Sequence, residues 1–385
     1  MNLTTIGILG GGQLGRMLVQ AGQKMGFRMV VLDPDPACPA AEVANAHICA
    51  AYTDQAALAE MAATCAFVTT EFENVSAGSM AHLAQQTRVA PQASAVAIAQ
   101  DRIAEKRFLQ ACASQTGIPP TPFQVIESID DLDAPGQHLF PGVLKTARMG
   151  YDGKGQLRAN HRSELITAWQ AMGSVPAVLE ARVELAFELS VLVARGADGA
   201  TAIYPAAENH HQNGILFTST VPSPHATPAQ LAQVQHAAKK IASLLDYCGV
   251  LCVEFFVLAD GSLLINEMAP RPHNSAHYTQ DACDTCQFTQ HIRALTGLPL
   301  GHVRQHSVAV MLNLLGDVWF QGGERREPPW HQILALPGAH LHLYGKQKAR
   351  PGRKMGHINF VTATLDEAKA NLAQSCALLG LTSPH

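Results

Sequence analysis

The chain has 385 residues, of which 47% are hydrophobic and 15% charged, a balance that can bury real cores and excludes a disordered or fibrous protein. Two or three domains of roughly 100–200 residues are expected. A formal net charge of -4 excludes the whole-surface attraction that nucleic acid needs, although a local basic patch can still hold one phosphate.

The opening MNLTTIGILGGGQLG has no basic segment ahead of a long apolar run, so no secretion signal is expected. No uninterrupted apolar stretch reaches the length of about 18 residues that a membrane span needs. Nine cysteines, an odd number at mostly irregular spacing, read as free thiols, and a cytoplasmic location follows.

Residues 1–100 alternate short apolar runs with Ala-rich segments. Runs 5–9, 29–32, 47–50 and 67–70 read as buried parallel strands. Segments 13–25, 54–63 and 76–85 read as helices, with Asp54 and Ser76 placed as caps. The alternation predicts an α/β domain, a doubly wound, Rossmann-like parallel sheet. Between the first strand and helix lies Gly10-Gly11-Gly12-Gln13-Leu14-Gly15, with Asp33 at the end of the next strand. This loop admits three readings: a dinucleotide fingerprint, a more general phosphate cradle at a helix N-terminus, or a purely structural turn.

Residues 101–300 open with a charged helix, 101–115, and then change texture. Runs 143–146, 177–180, 185–195, 215–219, 250–258 and 263–268 read as strands, and 227–246 and 279–296 as helices packed on them. This mixture predicts an α+β domain with a largely antiparallel sheet. Cys283 and Cys286 form a lone CxxC and read as core-facing thiols on the second helix rather than a zinc or redox centre. Residues 301–385 read as a small β-rich domain, opening with strand 307–315 and closing with helix 365–379.

Chemistry concentrates in four places. A strand delivers Lys145 into a loop with Gly150, Gly153, Lys154 and Gly155, whose amides can fold over polyphosphate. Glu180 ends a strand, and Glu188 stands among apolar neighbours, where it either faces solvent or holds a polar ligand. Glu254 and Glu267 lie on successive strands around the turn 259–261. If these strands pair, two carboxylates meet in an apolar sheet and repel, a problem that a divalent cation removes. Oxygen ligands there suit magnesium, with Asn266 as a further oxygen. Beyond Glu267 follow Arg271, held between prolines as an anion clamp, then His273, Asn274 and His277. Prolines in that segment exclude a regular helix.

The strings GGGQLGRM, TTEFENV, KTARMGYDGKGQ, NEMAPRPHNSAHYT and YGKQKARPGRKMGHIN resemble the ATPase subunits of phosphoribosylaminoimidazole carboxylases, also called carboxyaminoimidazole ribonucleotide synthetases. The likeness spans nearly the whole chain. It implies a three-part ATP-grasp fold (1–100, 101–300, 301–385), usually homodimeric, that uses ATP, magnesium and bicarbonate to carboxylate aminoimidazole ribonucleotide. It also implies functional coupling to a mutase. By motif, Arg102, Lys145 and the loop Gly150, Tyr151, Asp152, Gly153, Lys154, Gly155 and Gln156 would contact ATP phosphates. Glu180, Ala181, Arg182 and Val183 would line the adenine, Glu188 would bind ribose, and His211 would contact nucleotide. Glu254 and Glu267 would hold magnesium, with Asn266 beside them. Gln13, Leu14, Glu73, Lys346, Arg353 and Lys354 would meet the ribonucleotide, and Arg271, His273 and Asn274 would face the reacting centre with Lys145.

Ala276 stands where that family usually has Gly, which asks for a backbone angle that Ala tolerates. The rival within ATP-grasp ligases is the formate-using glycinamide ribonucleotide transformylase. Outside them stand a dinucleotide-dependent oxidoreductase, supported only by the glycine loop and Asp33, and a nucleotide-sensing protein without turnover.

Overall fold

The computed structural model describes residues 4–148, 150 and 155–383. Tyr151, Asp152, Gly153 and Lys154 lie outside the described residues.

The N-terminal stretch forms a five-stranded sheet in the order Ala46–Ile48, Arg28–Leu32, Thr5–Leu9, Phe67–Thr70, Arg88–Val89, parallel throughout. The two central strands are nearly continuous apolar runs because helices cover both faces. Strand order reverses between Thr5–Leu9 and Phe67–Thr70, so a crevice opens at their carboxyl ends. Gly10–Leu14 and Glu71–Asn74 leave the sheet there. Asp54 and Ser76 cap the helices Gln55–Thr64 and Ala77–Leu83 through their side chains, as expected.

Two large antiparallel sheets follow, besides the short pair Phe320–Gln321 and Glu324–Arg325. One has four strands, ordered Phe123–Ile126, Ala177–Ala181, Gly142–Thr146, Gln156–Ala159. The other has nine, and its main path runs Leu263–Ala269, Gly249–Leu258, Leu185–Arg195, Ala207–Gln212, Ile215–Val221, Val308–Leu315, Lys354–Thr362, Ala339–Leu343. The strands beyond residue 301 therefore extend the large sheet rather than closing a sheet of their own. Ladder hydrogen bonds run through the boundary that the change of texture marks in the sequence.

Elements expected from the sequence fall within two residues of those observed, except the helix 279–296. The structure breaks it into Thr279–Ala282 and Gln287–Thr296. Cys283 is extended and bridges to Gln305, and Cys286 is the residue preceding the second helix. The two thiols are thus not on a helix, because the chain between them uses its backbone groups in a bridge. All nine cysteines are free.

The largest core packs helix Pro228–Leu244 against the Gly249–Leu258 and Leu185–Arg195 strands through Val234, Ile241, Leu251, Val253 and Phe255, all fully buried. Truncating Phe255 to Ala there costs about 3–5 kcal/mol. This packing fixes the strands whose other face carries Glu188 and Glu254. No helix among the described residues is long and apolar enough to cross a membrane.

Candidate active site

A cleft of about 510 Å³ lies where the crevice of the parallel sheet meets both antiparallel sheets. Each element contributes side chains for a local reason. At the glycine loop, Gly12 and Gly15 amides donate to the Glu71 carboxylate, the latter at 2.6 Å, and the Gly11 amide donates to Asp33 at 2.7 Å. A side chain at Gly12 would collide with Glu71 Oε1. The anion at this helix N-terminus is therefore the chain's own carboxylate, which corrects the phosphate-cradle reading of these amides. Asp33 also accepts from Tyr52 and turns inward, which leaves the dinucleotide reading without its ribose-binding acid. Gln13 and Leu14 still line the cleft.

Glu180 is buried and closes a cation cluster. Lys145 Nζ lies 2.8 Å from one oxygen, and Lys106 and Arg102 lie 3.4 and 3.9 Å from the other. Burial pushes the Glu180 pKa up, but the charges of Lys106, Lys145 and Arg102 outweigh it and hold the group at about 2. Glu180 is not a cleft-lining residue. It fixes Lys145 and Arg102, which are. Ala181, Arg182 and Val183 do not line the cleft; Arg182 donates its amide to Pro141 at 2.8 Å.

Glu254 and Glu267 are direct partners in the register of their two strands, as the position of the turn implies. Burial, then the charge of Glu267, pushes the Glu254 carboxyl up to about 8. Asn266 Oδ1 is buried with no hydrogen-bond partner among the described residues. An apposed, destabilised carboxylate pair beside an orphaned amide oxygen fits a hard divalent cation. No cluster of three or more His, Cys, Asp or Glu gathers as a metal cage among the described residues. Arg102 reaches Glu267 at 3.3 Å, so the cation cluster and the acidic pair are one network.

Glu188 and His211 face each other at 3.1 Å. Burial opposes charge on His211, but the hydrogen bond and charge of Glu188 outweigh it, and the pKa is raised. Gly150, Gly155 and Gln156 line the same end, and Gln156 pairs with Lys145 across the strands. At the other end, Arg271 grips Glu73 with two guanidinium nitrogens, one at 3.3 Å. The Arg271 clamp is thus already engaged by a carboxylate. His273 Nε2 lies 3.1 Å from Glu254, and Asn274 Nδ2 is buried without a partner among the described residues. Ala276 lies in a short helical turn and is absent from the positive-φ residues, so it replaces Gly without strain. Lys354 lines the cleft; Lys346 donates to Gln13 at 2.8 Å and to the Lys354 carbonyl at 2.7 Å. Arg353 does not line the cleft and donates to the Lys348 carbonyl at 2.8 Å.

Sequence reasoning missed Glu71, Glu105 and Lys106. Glu71 lies in the TTEFENV string, but nothing in its spacing points back to residues 12–15. Glu105 and Lys106 share the helix Arg102–Thr116 with Arg102 at intervals of three and four, a signal that the charged-helix reading left unused. Glu105 accepts from the Met268 amide at 2.7 Å, and Lys106 donates to the Asn266 carbonyl at 2.7 Å.

This geometry joins a cationic end, an acidic centre and a basic far end. Family models match in the same order: a ribonucleotide synthetase preATP-grasp domain over residues 3–100, an ATP-grasp domain over 111–288, and a phosphoribosylaminoimidazole carboxylase C-terminal domain over 309–371. An N5-carboxyaminoimidazole ribonucleotide synthase of Brucella melitensis is 47% identical over 92% of this chain and 95% of its own length. The chain belongs to the N5-carboxyaminoimidazole ribonucleotide synthase family. A family member from Bacillus subtilis is 39% identical over 94% of this chain and 92% of its own. The solved synthetase of Thermus thermophilus superposes with a TM-score of 0.89 at 39% identity, covering 99% of both chains. The Aspergillus clavatus synthase, solved with ADP and 5-aminoimidazole ribonucleotide, superposes with a TM-score of 0.86 at 30% identity, over 98% of this chain and 99% of that one.

Proposed function

We propose that this chain is an ATP-dependent carbon–nitrogen ligase that carboxylates 5-aminoimidazole ribonucleotide with bicarbonate in purine (IMP) biosynthesis, releasing ADP and phosphate. The observation that carries this reading is the single cleft running from Lys145 and Arg102, past Glu254 and Glu267, to Gln13 and Lys354. Such a cleft can hold a polyphosphate and a phosphorylated second substrate with their reacting ends together.

Bicarbonate is a poor electrophile. Its oxygen takes the γ-phosphoryl group of ATP, the β–γ bridge bond breaks, and ADP leaves. The ribonucleotide amine then attacks the carbon of carboxyphosphate, phosphate departs, and the amine loses a proton. Phosphoryl transfer needs positioning and charge neutralisation more than a protein nucleophile. Lys145 and Arg102, held by Glu180, supply fixed positive charge at the phosphates. Gly150, Gly155 and Gln156 bound the same end. Magnesium bound by Glu254 and Glu267, with Asn266 adjacent, would neutralise phosphate charge. Glu188 and His211, which line the cleft, suit the ribose. Gln13, Leu14, Glu73, Lys346, Arg353 and Lys354 would receive the ribonucleotide, and Arg271, His273 and Asn274 border the reacting centre. A cytoplasmic homodimer, functionally coupled to a mutase that consumes the product, completes the reading.

The test is ADP release by purified protein with magnesium and ATP, adding bicarbonate and the ribonucleotide separately and together. Turnover that requires the ribonucleotide and rises with bicarbonate is expected. Stimulation by formate with another amine instead would move the chain to a sibling ligase.

A further inference from the structure

His273 is held at more points than any substrate contact requires. Its backbone is clamped by Gln287 of the helix Gln287–Thr296, which accepts from the His273 amide at 2.7 Å and donates to the His273 carbonyl at 2.9 Å. Its ring is held by serines. The Ser275 amide donates to Nδ1 at 3.4 Å, and Ser275 Oγ lies 2.8 Å from the same nitrogen. Ser190 Oγ, from the strand Leu185–Arg195, donates to Ser275 Oγ at 2.7 Å. With Ser190 donating to it, the Ser275 hydroxyl can donate its own proton to Nδ1, its nearer neighbour at 2.8 Å, Cys252 Sγ lying 4.0 Å away. Both serines are buried.

An amide N–H can only donate, so Nδ1 must present its lone pair. A neutral imidazole then carries its one proton on Nε2, the atom 3.1 Å from Glu254 Oε1. Ser190 is also the register partner of Glu254 on the neighbouring strand. The same pair of strands therefore positions both ends of the chain Ser190–Ser275–His273–Glu254.

We propose that Ser190 and Ser275 are positioning residues that fix His273 as the Nε2–H tautomer, so that His273 acts as a donor toward Glu254 Oε1 and not as a base toward substrate. Only the catalytic consequence rests on reading Glu254 as a magnesium ligand. The tautomer does not depend on it.

The experiment is a long-range proton–nitrogen correlation spectrum of the full chain with isotope-labelled histidine near neutral pH. The His273 signals are assigned by their loss in His273→Gln. A protonated Nε2 and a bare Nδ1 are expected. In Ser275→Ala and in the Ser190→Ala/Ser275→Ala double variant, the spectrum is expected to show mixed tautomers. Calorimetric ADP affinity in the presence of magnesium is expected to fall about ten-fold there, as for other lost partners of metal ligands, with Ser275→Thr retaining both properties. A protonated Nδ1 in the unaltered protein overturns the proposal and needs no variant to fold. An unchanged tautomer and ADP affinity in the folded double variant also overturns it. Failure of the ribonucleotide to stimulate turnover would sink the functional reading and leave the spectrum standing.

Discussion

Glu180 and Glu267 show how one residue type acquires two roles through its surroundings. Glu180 is enclosed by three cations and keeps its charge at all working pH values. Glu267, partly open to the cleft, faces Glu254 across the strands and one arginine. On the proposed reading, removing the Glu267 charge abolishes most kcat with the fold intact, because magnesium would lose one of its two carboxylate ligands. Glu267→Gln assayed for turnover and for thermal unfolding tests this; near-normal turnover at saturating magnesium would exclude the metal role. Arg353 makes a different case. It donates to its own loop, outside the cleft. If that loop turns it toward the ribonucleotide phosphate, Arg353→Ala raises the KM for the ribonucleotide and leaves the KM for ATP nearly unchanged. A charged hydrogen bond contributes roughly 1.5–3 kcal/mol, or about ten-fold or more in KM. Equal damage to both constants would refute the assignment.

The helix Arg102–Thr116 shows what an element adds beyond its residues. It is capped by Asp101, whose carboxylate accepts from the Ile103 and Ala104 amides, and its first turns aim Arg102, Glu105 and Lys106 at two different sheets. Lys106 is fully buried between Glu180 of the four-stranded sheet and the Asn266 carbonyl of the large one. Lys106→Met leaves Glu180 short of a cation and that carbonyl short of a donor. Breaking a buried pair in this way costs about 3–5 kcal/mol, read as a lower midpoint of urea unfolding; a loss below about 1 kcal/mol would mean that Lys145 and Arg102 suffice, as surface pairs commonly do. The spacing shows that these side chains share one helix face, but not their partners, since the contacts join residues far apart in the chain. By contrast, the Glu254–Glu267 apposition is legible, because a hairpin turn fixes register and register fixes which side chains meet. The parallel strands are legible from their apolar runs. The strand Ala207–Gln212 is not: its sequence AENHHQ is polar on both faces, as a strand carrying the cleft residue His211 can be. The sequence predicts one unbroken helix over 279–296 because its composition continues through Cys283–Cys286, while the bridge of Cys283 to Gln305 that interrupts it is a tertiary contact.

At the scale of the whole molecule, the three stretches of different texture share one interior. Ile6, Ile8 and Leu18 of the parallel domain pack in the same cluster as Phe288, Ile292 and Leu295 and, from the last stretch, Tyr344. His291 is the polar fastening in this seam. Its Nδ1 accepts from the Val250 amide at 3.1 Å, so its proton sits on Nε2, 2.7 Å from Thr69 Oγ1 of the parallel sheet. Burial depresses the His291 pKa from 6.5 to about 4. Between those values the unfolded chain binds a proton that the folded chain refuses. The contribution of His291 to stability is therefore complete above about pH 6.5 and is lost as pH falls toward 4, by a total on the order of 3 kcal/mol. His291→Gln retains polarity but cannot take up that proton. The stability gap between the native chain and this variant, measured by denaturant unfolding across that range, is expected to be widest near neutral pH and to close or reverse in acid. A gap that stays constant with pH would mean that His291 titrates alike in both states and that the seam is not sealed from water.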